Sequence, residues 1–238
     1  MLKSDLINYI KKYHLDGTCQ SVKWTVNDKS LKINSMAEDV TLLGTLDANI
    51  ELESADFGIF DTSALLSMLA ALDNEISISF YYERNKPVGL RLSDSVISAT
   101  FMLADLSIIP IPRERKELPE MDVIVTLKKD LIDRFIKSKK SLNESKVVAL
   151  IPDSESVDFV INFSQGTATN TITIPFPATV NKQFSVIAFN ADYLCNIFSA
   201  NSVFKEATLA ASERGLMVLT FKDEDYISEY LLKSIDLA

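Results

Sequence analysis

At 238 residues the chain exceeds one ordinary domain and fits two. Its 47% hydrophobic and 24% charged residues with only 6 Gly exclude a disordered, collagenous or low-complexity polymer. A formal net charge of −9 argues against a nucleic-acid binder that works by bulk positive charge. No apolar run reaches the roughly 20 residues that cross a bilayer, and the lysine-bearing N-terminus lacks a secretory signal, so the sequence reads as intracellular with no membrane partner.

Residues 2–14 place Leu2, Leu6, Ile10 and Tyr13 on one helical face and Ser4, Asn8, Lys11 and Lys12 opposite, which predicts an amphipathic helix. Strand patterns follow at 21–26, 30–34, 40–46 and 57–60, each bounded by polar residues or Gly. A helix is predicted over 62–72, capped by Asp61 or Thr62, with a small-residue face of Ser63, Ser67, Ala70 and Ala71. Strands are then expected at 76–82, 88–92 and 96–103. The stretch 107–122 holds Pro110, Pro112 and Pro119 and the mixed charges Arg113, Glu114, Arg115, Lys116 and Glu117, so it reads as a connector. Beyond it the order recurs: strand 123–127, helix 128–140, strands 147–151, 157–163, 169–174 and 184–189, helix 191–200, and further strands ending at 226–233. The expected architecture is α+β, with domains 1–106 and 123–238 joined by 107–122.

The two halves resemble each other residue by residue. At a single offset Phe60 falls on Phe189, Asp61 on Asn190, Leu65 on Leu194, Met68 on Ile197, Leu90 on Leu219 and Phe101 on Tyr230. At a slightly shorter one, the run Lys3 to Asn8 falls on Lys128 to Asp133. Such duplication points to an assembly with rotational symmetry.

Charge is unevenly spread. Lys3, Lys11 and Lys12 outweigh Asp5 on the first helix, and Lys128, Lys129, Arg134, Lys137, Lys139 and Lys140 outweigh Asp130 and Asp133 on the third, so the remaining body is more acidic than the total suggests. On the third helix Lys129, Lys137 and Lys140 stand opposite the Leu127, Leu131 and Phe135 stripe. Either these are solvated amphipathic faces, or they meet phosphates without reading bases.

Catalytic signatures are absent. The single histidine, His14, ends the first helix, where a cap or surface role is expected rather than general-base work. There is no Cys/His metal spacing, phosphate loop or nucleophile elbow, and Asp223, Glu224 and Asp225 read as an exposed turn. Cys19 and Cys195, one in each half, read as two buried thiols. No enzyme activity, cofactor or metal is expected.

With its duplicated helix order, the matching DLIN and DLID of Asp5 to Asn8 and Asp130 to Asp133, the Pro-rich connector and the final strand EYLLKSID (Glu229 to Asp236), the chain resembles the DNA sliding clamps. It is most similar to the trimeric clamps of T-even-type phages and the proliferating cell nuclear antigen. The resemblance implies duplicated processivity-fold domains, sheets outside and helices inside, closing as a homotrimer around double-stranded DNA without sequence specificity. The partners it implies are a DNA polymerase and a clamp loader. The DNA-facing residues would be Lys3, Lys11, Lys12, Lys128, Lys129, Arg134, Lys137, Lys139 and Lys140. A pocket for a partner peptide would be lined by Met36, Val40, Ile109, Ile111, Tyr230 and Leu232, with core packing the alternative for each. The subunit joint would pair 96–103 (Val96, Ala99, Phe101) with 169–174 (Thr171, Ile172, Thr173), and Pro175 and Pro177 would end the second strand. Leu231, Leu232 and Lys233 stand where cellular clamps carry an Ala-Pro turn, which favours a viral member acting in the host cytoplasm during phage infection. The competing reading is a virion structural or adaptor protein of duplicated β-rich domains.

Overall fold

The computed structural model describes residues 2–112, 117–166 and 168–237; the connector run Arg113 to Lys116 lies outside them. The architecture is mixed α and β and divides into two compact units. The first comprises Met1–Arg113 with Asp225–Ser228, the second Glu114–Glu224 with Glu229–Ala238.

In the first unit, α1 (Lys3–His14) precedes β1 (Val22–Asn27), β2 (Ser30–Met36), β3 (Leu42–Asn49) and β4 (Ala55–Ile59), in the order β4-β1-β2-β3. Then come α2 (Thr62–Ala70) and the antiparallel meander β5 (Ser77–Glu83), β6 (Lys86–Ser93) and β7 (Ser98–Met102). Two hairpin turns explain the tight connections: Asp28 and Lys29 (φ 46° and 68°) join β1 to β2, and Arg84 and Asn85 (φ 48° and 62°) join β5 to β6. In β2, Leu31, Ile33 and Ser35 point inward and Lys32 and Asn34 outward, the period of a one-sided sheet. The strand expected from Val40 starts at Leu42. Val40 has φ 59° in a turn closed by Ala37 N–H donating to Leu42 O at 3.0 Å, and the Asp39 carboxylate accepts from Thr41 N at 3.1 Å. Leu6, Ile10 and Tyr13 of α1 are buried, whereas Leu2, placed on the same stripe by periodicity, is exposed. The core continues through Trp24, whose ring centroid lies 6.2 Å from Tyr13 and 5.5 Å from Phe57.

In the second unit, β8 (Val123–Thr126) and α3 (Lys129–Ser141) precede β9 (Val147–Pro152), β10 (Ser156–Ile161), β11 (Ile172–Val180) and β12 (Ile187–Asn190). Next are α4 (Ala191–Ala200), β13 (Glu206–Ser212), β14 (Leu216–Lys222) and β15 (Tyr226–Lys233). Its strand order runs β12-β9-β10-β11-β8-β13-β14-β15. Phe135 of α3 meets Phe159 of β10 at 6.2 Å and Phe198 of α4 at 5.2 Å, which clamps both helices to the sheet. Each such ring buries apolar surface worth about 1.5–3 kcal/mol.

The expected strand 169–174 is displaced: β11 runs through Pro175 and Pro177, which pair in register with Asp158 and Ser156. A proline interrupts only the ladder its nitrogen faces, so pairing with β10 survives. Residues 169–171 belong instead to the preceding loop, where Thr169 Oγ1 donates to Asn162 O at 2.9 Å.

The internal repeat is visible in the caps. Asp61 accepts from Ala64 N at 2.8 Å to open α2, and its counterpart Asn190 accepts from Asp192 N at 2.9 Å to open α4. Leu65 and Leu194 are both buried. Phe60 and Phe189 differ: the first is exposed and the second is core.

Candidate functional site

The cations proposed from sequence fall into two groups. Lys11 on α1 and Lys128, Lys129, Arg134, Lys137 and Lys140 on or beside α3 are exposed. Arg134, Lys137 and Lys140 follow one another at steps of three, so they form a row along one helical face about 9 Å long. Lys128 and Lys129 stand at the N-terminus of α3, which has no side-chain cap. There they add positive charge to the positive end of the helix dipole, which the Asp130 carboxylate in the same turn partly offsets. Lys129 is partly engaged, donating to Ser202 O at 3.0 Å and lying 3.9 Å from Asp133.

The other three are not free surface charges. Lys12 is 1% exposed, with its Nζ 3.9 Å from the centroid of the Tyr226 ring and 3.3 Å from Asn8 Oδ1. Lys139 is 3% exposed and makes a 2.7 Å ion pair with Asp192 of α4, also donating to Asn143 O at 3.1 Å. Lys3 is half-buried and donates to Leu72 O. Burial of an ammonium is tolerated only where such partners replace water. Lys12 and Lys139 therefore serve packing, and the assignment of both to a DNA-facing surface is corrected. The result is asymmetry: α1 exposes one of its lysines, α3 exposes a row, and α2 and α4 contain no Lys or Arg.

His14 is buried rather than on the surface, with Nε2 3.2 Å from Ser63 Oγ. Desolvation holds its pKa below the ordinary 6.5, opposed by a bond to Gln20 and by Asp16 and Asp61. The unfolded chain thus takes up the proton more readily, and this contribution to stability is present above about pH 6.5 and lost as pH falls. Thermal melts from pH 7.5 to 5.5 should show a decline that His14→Gln flattens. Parallel profiles for the two proteins would refute the assignment.

The residues expected to line a partner pocket also divide. Val40 (57% exposed) and Ile111 (64% exposed) are accessible, and Met36 is half-buried. Ile109 is buried over Gly58, where an added Cβ would sit 2.7 Å from Ile109 Cγ1. Tyr230 (1% exposed) and Leu232 are core residues of the second unit; the Tyr230 hydroxyl accepts from Asn201 Nδ2 at 2.9 Å, and its ring packs edge-on to Phe221. Alternation along β15 fails as a guide because Tyr230, Leu231 and Leu232 are buried in succession. The assignments of Ile109, Tyr230 and Leu232 to an open pocket are corrected accordingly.

At the expected joint, Val96 lies in the turn before β7 and is exposed, Ala99 is half-buried and Phe101 is buried. Thr171 precedes β11, Ile172 is half-buried and Thr173 exposed. Among the described residues β7 is an edge strand, paired with β6 alone. Leu103 N–H donates to Val88 O at 2.9 Å and Asp94 N–H to Ile97 O at 3.0 Å. By alternation, Ala99 and Phe101 direct their N–H groups into β6, while Ser98, Thr100 and Met102 direct theirs to the open side. Ala99 thus makes a ladder within its own unit, and the residue whose nitrogen faces an incoming strand at mid-strand is Thr100.

Neither the protein-family models nor the curated proteins give a match to the sequence. Among solved structures, the proliferating cellular nuclear antigen of Entamoeba histolytica superposes with a TM-score of 0.74 at 16% identity, over 99% of this chain and 97% of that one. The fold is the sliding-clamp fold. At this identity the likeness is one of architecture, and it spans both units of the chain. Exposed helical cations are concentrated on α3; β7 ends its three-stranded sheet, whereas β11 lies between β10 and β8. Among the described residues no helix is long and apolar enough to cross a membrane.

Proposed function

We propose that the chain is a DNA sliding clamp: a scaffold without catalysis of its own that closes as a homotrimer around duplex DNA and tethers a replicative polymerase after placement by a clamp loader. The observation that carries the reading is the clamp fold over the whole chain together with the exposed cation row on α3 of a protein whose net charge is −9. The net charge of −9 repels DNA within a Debye length of about 8 Å, so retention would come from encirclement. The domains would be 1–106 and 123–238 with a connector of 107–122. Partner contacts would fall on Val40, Ile111 and the accessible part of Met36. Leu231, Leu232 and Lys233 in place of an Ala-Pro turn support a phage clamp working in the host cytoplasm. A virion adaptor would share the acidity and the repeat but gives no reason for a cation row on α3.

Solution mass combined with polymerase synthesis on primed circular DNA tests the reading. A mass three times the 26.5 kDa chain and longer products are expected. A monomer that stimulates no polymerase would overturn it. Replacing Lys128, Arg134, Lys137 and Lys140 together with Ala should leave the mass unchanged. The salt dependence of DNA retention should become shallower, by about 0.9 in log–log slope for each phosphate that is no longer neutralised. Lys11→Ala alone should shift it by no more than one such step. An unchanged slope in the quadruple variant would mean that α3 is ordinary solvent surface.

A further inference from the structure

β11 carries a hydrogen-bonding inventory that sets what can lie beside it. Ala178 N–H donates to Glu155 O at 3.0 Å, on the β10 side, and Asn181 N–H donates to Asp122 O at 2.8 Å, on the β8 side. Since a strand's backbone groups alternate in direction, the nitrogens of Thr173, Pro175 and Pro177 all face away from β10. β8 pairs on that side only with Ala178, Thr179 and Val180. Among the described residues, Ile172 to Pro177 therefore has no strand beside it there. Of the three backbone nitrogens aimed at this opening, two belong to proline. Thr173 is the single N–H donor, whereas the carbonyls of Thr173 and Pro175 point outward as acceptors.

An edge that accepts and scarcely donates is closed to its own kind. Two β11 edges brought together would set carbonyls against proline rings with almost no N–H between them, a known protection against edge-to-edge aggregation. The open edge of β7 has no proline: Ser98, Thr100 and Met102 each present an N–H beside their carbonyl. With Thr100 opposite Thr173, the two residues exchange both hydrogen bonds, and Ser98 N–H reaches the Pro175 carbonyl. Beyond that point the proline rings prevent further pairing.

We infer that Pro175 and Pro177 act as a stop on the β11 edge, admitting β7 of a second copy of this chain, confining the ladder to a few bonds centred on Thr173, and barring β11–β11 pairing. The inference rests on the ring reading and adds register and strength to it. A joint held by so short a ladder opens with few bonds broken, which suits a ring that must be threaded onto DNA.

Oxidation of a Thr100→Cys, Thr173→Cys double variant should cross-link neighbouring subunits, since facing Cα atoms in a hydrogen-bonded antiparallel pair are about 5.5 Å apart, within disulfide reach. A Pro175→Thr, Pro177→Thr variant regains two donors and should exchange subunits roughly tenfold more slowly, or form a dimer that cross-links through Thr173→Cys alone. Either change supports the stop. A protein that assembles as wild type but gives no Thr100–Thr173 cross-link, or whose proline variant exchanges at the wild-type rate and forms no such dimer, overturns this inference while the ring stands. A wild type that stays monomeric at micromolar concentration overturns the ring itself.

Discussion

Tyr230→Ala is expected to destabilise the second unit by about 3–5 kcal/mol, the range for removing a large side chain from a packed core. The ring lies edge-on to Phe221 with its centroid 6.2 Å away, and the hydroxyl accepts from Asn201 Nδ2 at the end of α4, so the substitution leaves a cavity and breaks a buried bond together. Chemical denaturation followed by circular dichroism measures the effect, and a loss below about 1 kcal/mol would show that Tyr230 is not a core anchor. Any loss of polymerase stimulation in this variant would follow from unfolding. Ile111→Ala is the cleaner probe of partner binding, because an exposed side chain should change stability by less than about 0.5 kcal/mol. Titration of a fluorescent polymerase peptide against wild type and Ile111→Ala then isolates the contact.

Thr100→Pro should give a folded chain that no longer assembles. Its N–H faces the open side of β7, so a proline there removes no bond within the unit and places a ring where the neighbouring strand would pair. Ala99→Pro, one residue earlier, should do something different: it removes an N–H from the β6 ladder and leaves a buried carbonyl unpaired, at a cost of about 1–3 kcal/mol. Sedimentation and thermal melting of the two variants separate the outcomes. A trimeric Thr100→Pro would exclude β7 from the joint, and equal melting temperatures for the pair would contradict the assigned direction of the backbone groups.

The helices were legible because their determinants are local. The apolar period of α1 and α3, the caps at Asp61 and Asn190 and the matching order of elements in the two halves all arise within a few residues of one another. Strand positions were legible too, but their ends shifted where a turn took the residue, as at Val40, or where the strand runs on through a proline expected to end it, as at Pro175.

What the tertiary structure alone decided is which side of each local pattern meets water. Lys139 continues the Leu127, Leu131 and Phe135 series at steps of four, so a wheel places it on the apolar side; that its ammonium, and that of Lys12, can be buried depends on Asp192 and Tyr226, distant in sequence, lying against them. Tyr230 and Leu232 read equally well as pocket or core until Asn201 and Phe221 are seen beside Tyr230. The direction of each N–H along β7 and β11 depends on register with β6 and β10, a pairing between remote segments that side-chain periodicity does not encode. Local chemistry determined the elements and their duplication, whereas long-range packing and register determined which cations, apolar side chains and backbone donors remain available to a partner.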